Sequence, residues 1–477
     1  MSLDRREFLL SLAAGAAFRA RQKASAWRAG LAAVDITPPL GVWMGGYAAR
    51  KEPARGIAQP LHAKALAVAD SRGRHAVIVT IDVLGLTAPA VDRIADVVRR
   101  RHGLPRERLL LCSSHTHSGP IIRDQLAVAY DLTPSQWDDI RASTRRIEGQ
   151  VVEAVGLALA SMQPARLRWA QGRAGFAANR RTAINPDGPV DHSVPVVAVE
   201  RRDGSLAALL FGYACHNTTL PPSFVSYHGD YAGVAKAELE RRHPGVTALF
   251  IQGCGADANP HPRGTVDLVE QHGRELADAV DAALGGAVEM TGPLRTAFAT
   301  VSLAYAPAPG ADHWRRKLAD SNVYVQRHAQ MMLDVIARDG STVQAEPAPL
   351  HVLRLGSLSL VALSGEVVVD YALAIRRKYG SGTWVAAYTD SVFGYVPSAR
   401  VLREGGYEGG DAMLYFGRPG PFADTVESAV LGGVDALMAA TGARTALPGS
   451  RADMDDVAAA ARRIQAGGAA IARTLSS

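Results

Sequence analysis

Residues 109–120 read LLLCSSHTHSGP and change within a few positions from an apolar run to a pair of histidines. Four other apolar runs also end in a residue that can bind a metal ion or move a proton: 207–216 (AALLFGYACH), 248–257 (ALFIQGCGAD), 358–366 (LSLVALSGE) and 384–390 (WVAAYTD). The polar residues at these ends are His115, His117, His216, Asp257, Glu366 and Asp390. Ligands of open α/β sheets bind at the carboxyl ends of the strands, so we expect these side chains to converge although they are distant in sequence.

The rest of the chain alternates short aliphatic segments with longer amphipathic ones, which is typical of an α/β protein. Helices are predicted at 91–102 and 268–284, and also after Gly233 and after Val367. The runs 350–355 and 358–363 flank a Gly-Ser pair, which predicts a hairpin and therefore a mixed sheet. The predicted fold is α/β, with a mixed β-sheet core flanked by helices in a single large catalytic domain.

That domain is predicted to span residues 27–445, with a helical tail at 446–477. Glycine and proline interrupt the pattern at 285–293, which indicates either a boundary or an insertion. The segment from there to about residue 341 is predicted to be irregular.

The overall composition favours a globular protein and disfavours a nucleic-acid-binding one. The 477 residues are 48% hydrophobic and carry a formal charge of +6. No run of Lys and Arg is interleaved with aromatic residues, so nucleic acid is not expected as a partner. No stretch of 18 or more apolar residues is present, so membrane contact is expected to be peripheral at most.

The first 26 residues have the layout of an export signal. The motif DRREFLL at 4–10 precedes a short apolar stretch, and ASA at 24–26 provides small residues for cleavage. This pattern predicts a twin-arginine signal peptide and export to the periplasm or the medium. The alternative is an ordinary amphipathic helix.

The three cysteines, Cys112, Cys215 and Cys254, are too few for a disulfide framework. All three lie in or just after apolar runs, which favours buried core thiols over zinc ligands. They also lack finger-like spacing, so a structural zinc site is disfavoured.

The H-x-H pair is the sharpest local signal for chemistry. Alternate side chains of an extended backbone share a face, so the rings of His115 and His117 can approach one ion or one substrate group. Imidazole is the commonest metal ligand and titrates near neutral pH. The alternative is a pair of surface histidines.

His216 and Glu366 would complete a recognised catalytic zinc set with His115, because two histidines and one glutamate leave positions open for water and substrate. Taken alone, His216 is equally well explained as a core residue, and Glu366 as a carboxylate near a helix N-terminus. Competing motifs are absent: the chain has no H-E-x-x-H, no G-x-S-x-G and no P-loop. The glycines at 253 and 255 precede NPHP at 259–262, where a dinucleotide-binding helix would have to begin.

Several further segments occur in a specific order. They are VDITPP at 34–39 with GGY at 45–47, SSHTHSGP at 113–120, Asn179-Arg180 followed by Asn185-Pro186, QGCGADANP at 252–260, SGE at 364–366, and two tyrosines twelve residues apart, Tyr395 and Tyr407. Together with the run ending in His216, this order resembles the neutral/alkaline non-lysosomal ceramidase family over roughly residues 30 to 435. Two departures are Asp390, where the family tends to have Asn, and Arg181, where Ser is usual. No C-terminal immunoglobulin-like domain of the kind found in typical ceramidases is expected.

The resemblance implies a zinc ion held by His115, His216, Glu366 and Tyr395. It also implies that His117, Arg180 and Tyr407 surround the substrate's amide and the water that zinc activates. The residue pattern alone predicts the two histidines and the glutamate as ligands, but it predicts neither tyrosine. Asp230 and Asp257 are possible contacts behind these ligands or to calcium.

The implied function is that of a zinc-dependent amidohydrolase, which cleaves the N-acyl amide bond of ceramide or a related lipid. Two alternatives remain open at this point. One is a zinc hydrolase of another acyl amide, ester or lactone, and the other is an exported protein that binds metal or ligand without catalysis. The sequence leaves the oligomeric state undetermined.

Overall fold

A computed structural model of the protein describes residues 27–446. The predicted signal at 1–26 and all but the first residue of the predicted tail lie outside the described residues. None of the described helices is both long and apolar enough to cross a membrane.

The strands, in chain order, are β1 Trp27–Asp35, β2 Gly56–Ile57, β3 His62–Asp70, β4 His75–Ile81, β5 Leu109–Ser113, β6 Gln163–Arg173, β7 Ala177–Asn179, β8 Ser193–Glu200, β9 Leu206–Tyr213, β10 Ser226–Tyr227, β11 Thr247–Gln252, β12 Ala258–Pro260, β13 Val288–Glu289, β14 Leu294–Ala304, β15 Ala345–Leu355, β16 Leu358–Leu363, β17 Glu366–Val367, β18 Thr383–Ala386 and β19 Tyr395–Val396. The helices are α1 Ala88–His102, α2 Pro134–Ala160, α3 Asp230–Arg242, α4 Val266–Leu284, α5 Ala311–Lys317, α6 Val323–Asp339, α7 Val369–Tyr379, α8 Ala399–Glu404, α9 Gly406–Gly409 and α10 Val426–Ala440.

A nine-stranded mixed sheet forms the first half of the fold. Its order is β11-β9-β8-β6-β1-β3-β4-β5, and β13 pairs with β6. Most neighbours are antiparallel, but β4 pairs with β5 and β9 with β11 in parallel. The prediction of a mixed sheet flanked by helices is therefore confirmed.

A second sheet of four strands, in the order β14-β15-β16-β18, forms the other half. The predicted hairpin is present, since β15 and β16 are antiparallel and Leu355 pairs with Leu358. The interruption predicted at 285–293 coincides with the change from the first sheet to the second. The predicted irregular stretch up to residue 341 is wrong, because it contains β14 and α6.

The two sheets pack face to face, with helices on their outer sides. The shared core includes Leu110 and Leu249 of the first sheet and Leu353 and Trp384 of the second. Helices α1 to α4 cover the outer face of the first sheet, and α7 and α10 cover that of the second. Large apolar surface is thus removed from water on both faces of each sheet.

The predicted helices are present, with earlier starts in three cases. Helix α1 begins three residues before the predicted start, at a proline-containing first turn that suits a helix N-terminus. Helix α3 begins at Asp230, so Gly233 lies inside it. The three cysteines are buried and free, as predicted.

Candidate metal centre

The H-x-H loop follows β5 and is fixed by the segment after β4. His115 has a φ of 61°, a strained left-handed conformation for a residue with a side chain. Its backbone nitrogen donates to the Val83 carbonyl (3.0 Å), and its ring Nδ1 contacts the Leu84 carbonyl at 2.7 Å. The Nε2 atom of His115 is therefore directed away from these carbonyls.

His216 lies just after β9 and is held in the same way. Its Nδ1 contacts the carbonyl oxygens of Gly255 at 2.9 Å and Ala258 at 3.2 Å. The next residue, Asn217, forms a parallel bridge with Thr116 and so joins the two histidine loops. Both His115 and His216 are only 1% exposed.

Glu366 and Tyr395 reach the same point from the second sheet's side. Strands β17 and β19 pair in parallel and place Glu366 opposite Tyr395. Glu366 Oε2 lies 3.3 Å from His115 Nε2 and 3.2 Å from His216 Nε2. The Tyr395 hydroxyl lies 3.4 Å from His216 Nε2. The four side chains predicted as metal ligands are thus brought together from four distant segments.

The protonation pattern of these groups suits a cation. The carbonyls that face Nδ1 of His115 and His216 require a proton there, which leaves each Nε2 as an acceptor beside the Glu366 carboxylate. Burial, followed by the charge of Arg180, lowers the pKa of His216 to about 4, which opposes a second proton. Burial raises the pKa of Glu366, but positive charge on His115 and hydrogen bonds from His115 and His216 lower it well below its usual range, so the carboxylate is stabilised by positive charge beside it. With both Nε2 atoms unprotonated, a bound cation would supply that charge. Several lone pairs then converge on one point, as in a metal site.

His117 belongs to the same cluster but is held differently. Its Nε2 lies 3.2 Å from His115 Nε2, and the ring nitrogens of His115, His117 and His216 lie within 4.8 Å of one another, so this group could bind a metal ion. The Nδ1 of His117 is buried and has no hydrogen-bond partner among the described residues. Burial, with the charges of the other two histidines, keeps the pKa of His117 well below its usual value.

Arg180 and Tyr407 line the outer side of the centre. Arg180 Nη2 donates to the Tyr395 hydroxyl at 3.0 Å, and its guanidinium lies 5.5 Å from the ring centroids of Tyr395 and Tyr407. Burial raises the pKa of Tyr395 well above its usual value, although the charge of Arg180 acts in the opposite direction. Tyr407 is 43% exposed and lies at the mouth of the centre.

Three residues that the sequence did not single out support this arrangement. Glu408 accepts from Arg180 Nε and from Arg181 Nη1, both at 2.6 Å, and so fixes the Arg180 side chain. Tyr388 donates to Glu366 Oε2 at 3.4 Å, and its ring lies 4.3 Å from that of His115. Tyr388 lies within the run 384–390, whose polar end at Asp390 masks it in the sequence pattern.

Arg50 is the third of these supporting residues. It is 3% exposed and donates to the carbonyls of Gly45 (2.9 Å), His117 (3.1 Å) and Phe224 (3.3 Å). None of the described carboxylates forms an ion pair with it. Arg50 therefore ties three loops together around His117 at the cost of a buried charge.

Two of the strand-end residues do not join the centre, so the expectation that all would converge is wrong. Asp390 Oδ2 accepts from His351 at 2.8 Å, and its Oδ1 pairs with Arg106 at 2.8 Å. Asp257 accepts from the Val369 backbone nitrogen and from Asn179. Asp257 thus binds the first turn of α7, and both carboxylates serve as structural anchors.

Asp230 likewise binds backbone groups. Its carboxylate accepts from the nitrogens of Thr219, Leu220 and Tyr231, at 3.2, 3.0 and 2.7 Å. It thereby holds the loop that follows His216.

The sequence model of the family described as neutral/alkaline non-lysosomal ceramidase, N-terminal, matches residues 27–266, which is half of the chain. The chain belongs to this ceramidase family. Among its curated relatives, neutral ceramidase A of Dictyostelium discoideum is 27% identical over 264 residues, which cover 50% of this chain and 37% of that protein. The neutral ceramidase of Pseudomonas aeruginosa is 27% identical over 252 residues, with 49% and 37% covered.

A longer match extends beyond the family's N-terminal part. The neutral ceramidase of Mycobacterium tuberculosis is 24% identical over 463 residues, which cover 78% of this chain and 71% of that protein. The first two relatives, by contrast, are matched over little more than a third of their lengths.

Solved ceramidase structures share the fold. The crystal structure of neutral ceramidase from Pseudomonas aeruginosa superposes with a TM-score of 0.69 at 19% identity, covering 86% of this chain and 74% of that chain. A structure of a ceramidase complexed with C2 gives a TM-score of 0.70 and covers 88% and 76%. The two-sheet architecture described above is therefore that of the ceramidase family.

Proposed function

We propose that this protein is a zinc-dependent amidohydrolase that cleaves the N-acyl amide bond of ceramide or a related lipid with an activated water molecule. The observation that carries the proposal is the convergence of two imidazole nitrogens, one carboxylate and one phenol oxygen on a single buried point. Family membership and the names of the relatives support ceramide as the substrate class.

The donor set supports zinc as the metal. Zinc in catalytic sites is bound by imidazole and carboxylate ligands and keeps a position open. His115 and His216 each have Nδ1 bound to a carbonyl, which is the arrangement that orients a metal-binding histidine. His117 lacks such a partner, which favours His115, His216, Glu366 and Tyr395 as the ligands and leaves His117 for another role. A zinc ion in this position supplies Lewis-acid chemistry that activates water and polarises a carbonyl group.

Arg180, Tyr407 and His117 supply the remaining functions. Arg180 is held by Glu408 and directs Nη2 towards the centre, where it can donate to a developing oxyanion. Tyr407 is beside it, with its ring 5.3 Å from that of Tyr395, and adds a second donor at the mouth. His117 is next to His115, where it can take up the proton that the attacking water releases and pass it to the leaving amine.

A substrate panel tests the proposed reaction. Zinc-loaded protein is assayed against long-chain and short-chain N-acylsphingosines, a matched ester and a lactone, with His115→Ala as the inactive control. We expect amide hydrolysis that is fastest for the lipid amides and absent in His115→Ala. Hydrolysis confined to the ester or lactone would identify a different acyl hydrolase, and stoichiometric zinc without any hydrolysis would identify a binding protein.

Export through the twin-arginine signal is a separate part of the proposal. The motif at 4–10 and the small residues at 24–26 support it. Replacing Arg5 and Arg6 by Lys should retain the protein in the cytoplasm of a host that has this pathway. Unchanged export of that variant would refute the signal.

A further inference from the structure

A groove of about 540 Å³ lies between α1 and α2, away from the metal centre. Six arginines line it: Arg93, Arg100, Arg101, Arg123, Arg141 and Arg145. Only two acidic residues, Asp96 and Glu148, line the same groove. The lining therefore carries a net positive charge, in a protein whose Lys and Arg exceed its Asp and Glu by only six overall.

Half of these arginines already have a partner. Arg93 pairs with Glu148 at 2.7 Å, Arg123 with Asp124 at 3.1 Å, and Arg141 with Asp138. Arg100, Arg101 and Arg145 are exposed, and no ion pair links them to another described residue. These three charges are available to an external anion.

The floor of the groove is apolar. Ile94 and Val97 of α1 and Val152 of α2 line it between the arginines. Ile94 and Val152 belong to the core beneath the helices. Ile94 and Val152 are almost fully buried, so of these three side chains only the half-buried Val97 is presented to a ligand between the arginines.

The groove is connected to the mouth of the metal centre. Arg123 is on the segment that continues from the H-x-H loop, and its backbone nitrogen donates to Thr144 Oγ1 of α2 at 2.9 Å. Ile140, next to Arg141 on α2, packs in a cluster with Tyr415. The Tyr415 ring in turn contacts that of Tyr407, with 6.3 Å between centroids. The Arg123–Arg141 end of the groove is thus joined to Tyr407 through one cluster of packed side chains.

We propose that this groove docks the protein on an anionic phospholipid surface. Three exposed, unpaired arginines in one groove complement a surface that presents many anionic headgroups better than a single soluble anion. The inference does not depend on the proposed hydrolase function, because binding is measured without substrate.

Vesicle co-sedimentation of the full chain tests the proposal. The vesicles are phosphatidylcholine with or without phosphatidylglycerol, at low and high salt. The triple variant R100Q/R101Q/R145Q is compared with R202Q/R316Q/R377Q, which removes the same charge from exposed arginines elsewhere on the protein. Circular dichroism and thermal unfolding verify that both variants fold.

We expect the wild type and the control variant to bind only the vesicles with phosphatidylglycerol, and only at low salt. The groove variant should lose affinity on the order of a hundredfold, from the typical contribution of three arginines near an anionic surface. Equal binding by the two variants would overturn the proposal. So would absence of vesicle binding by the wild type, or its displacement by inorganic phosphate at constant ionic strength, since the groove would then hold a free anion.

Discussion

Each of the two histidines proposed as metal ligands has Nδ1 hydrogen-bonded to a backbone carbonyl and directs Nε2 towards the centre. The Leu84 carbonyl fixes His115, and the carbonyls of Gly255 and Ala258 fix His216. Glu366 has a comparable second contact in Tyr388. If these side chains are the metal ligands proposed above, such contacts would orient them before a metal binds, and loss of one typically costs about 10- to 100-fold in metal affinity.

Tyr388→Phe should therefore weaken zinc binding about tenfold, because the Glu366 carboxylate loses a hydrogen bond while the packing of the ring is kept. Competition with a chelator measures the affinity. Tyr227→Phe is the matched control: Tyr227 is equally buried and donates to the Val42 carbonyl, remote from the ligands. Equal zinc affinity in Tyr388→Phe and the wild type would contradict the role assigned to Tyr388.

Arg180→Ala should keep bound zinc and lose turnover by on the order of a hundredfold, because a donor to the oxyanion is removed while the ligands remain. Glu408→Gln should also lower kcat, but by a smaller factor. Arg180 remains in this variant and loses only the charged partner that holds its side chain. Glu404→Gln serves as the control, because Glu404 contacts Arg181 and Arg400 but not Arg180. Loss of zinc in Arg180→Ala would show that Arg180 acts on the ligands instead.

At the scale of elements, the site is assembled from loops that follow strands. The loop after β5 carries both histidines of the H-x-H pair, and the turn at 45–47 packs against it. Gly46 has a φ of +96°, and a Cβ there would lie 2.4 Å from Nδ1 of His117. The close approach of this turn therefore requires glycine both for its backbone and for space.

Gly46→Ala should displace His117 and reduce kcat, while zinc on the other ligands is retained. Gly41→Ala is the control that carries the backbone strain without the clash against His117. Gly41 has a φ of +94°, and a Cβ there would meet nothing within 4 Å. We expect both variants to lose roughly 1 kcal/mol of stability from the strained φ, but only Gly46→Ala to lose activity. Activity assays with thermal unfolding measure both effects, and equal activities would refute the positional argument.

At the scale of the whole molecule, a buried charged cluster links the two sheets. Asp390 binds Arg106, which precedes β5 of the first sheet, and His351 on β15 of the second. Burial raises the pKa of Asp390, but the charges of His351 and Arg106 outweigh it and lower the pKa below its ordinary value. A carboxyl with a depressed pKa stabilises the fold above its unfolded pKa of about 3.9 and loses that contribution as pH falls through the folded value.

Asp390→Asn should accordingly destabilise the protein by about 3 kcal/mol at neutral pH, because Arg106 and His351 lose a charged partner. The difference from the wild type should shrink as the pH falls from about 4 towards the lowered pKa of the folded carboxyl, because the unfolded wild-type chain takes up its proton first. Urea unfolding at several pH values measures it. A difference independent of pH would show that the ion pair does not stabilise the fold.

The sequence predicted the polar strand ends well because the change from aliphatic to polar residues is local. It could not predict two stacked sheets, since strands buried on both faces, such as 358–363, read as continuous apolar runs that do not specify their neighbours. Helix α6 is hard to predict because turn-forming residues flank it at 320–322 and 340–341. Strand β14 is hard to predict because most of its side chains are partly or fully exposed. Tyr395 and Tyr407 came only from the family resemblance, because a tyrosine in a loop carries no metal-binding pattern.

Metal analysis of the purified protein, combined with zinc-edge X-ray absorption, tests whether these four side chains bind zinc. We expect one zinc per chain, in a shell of two imidazole nitrogens with carboxylate and phenol oxygens, and its loss in His115→Ala. A fully active protein without bound metal, or zinc and activity that both persist in His115→Ala, would contradict it.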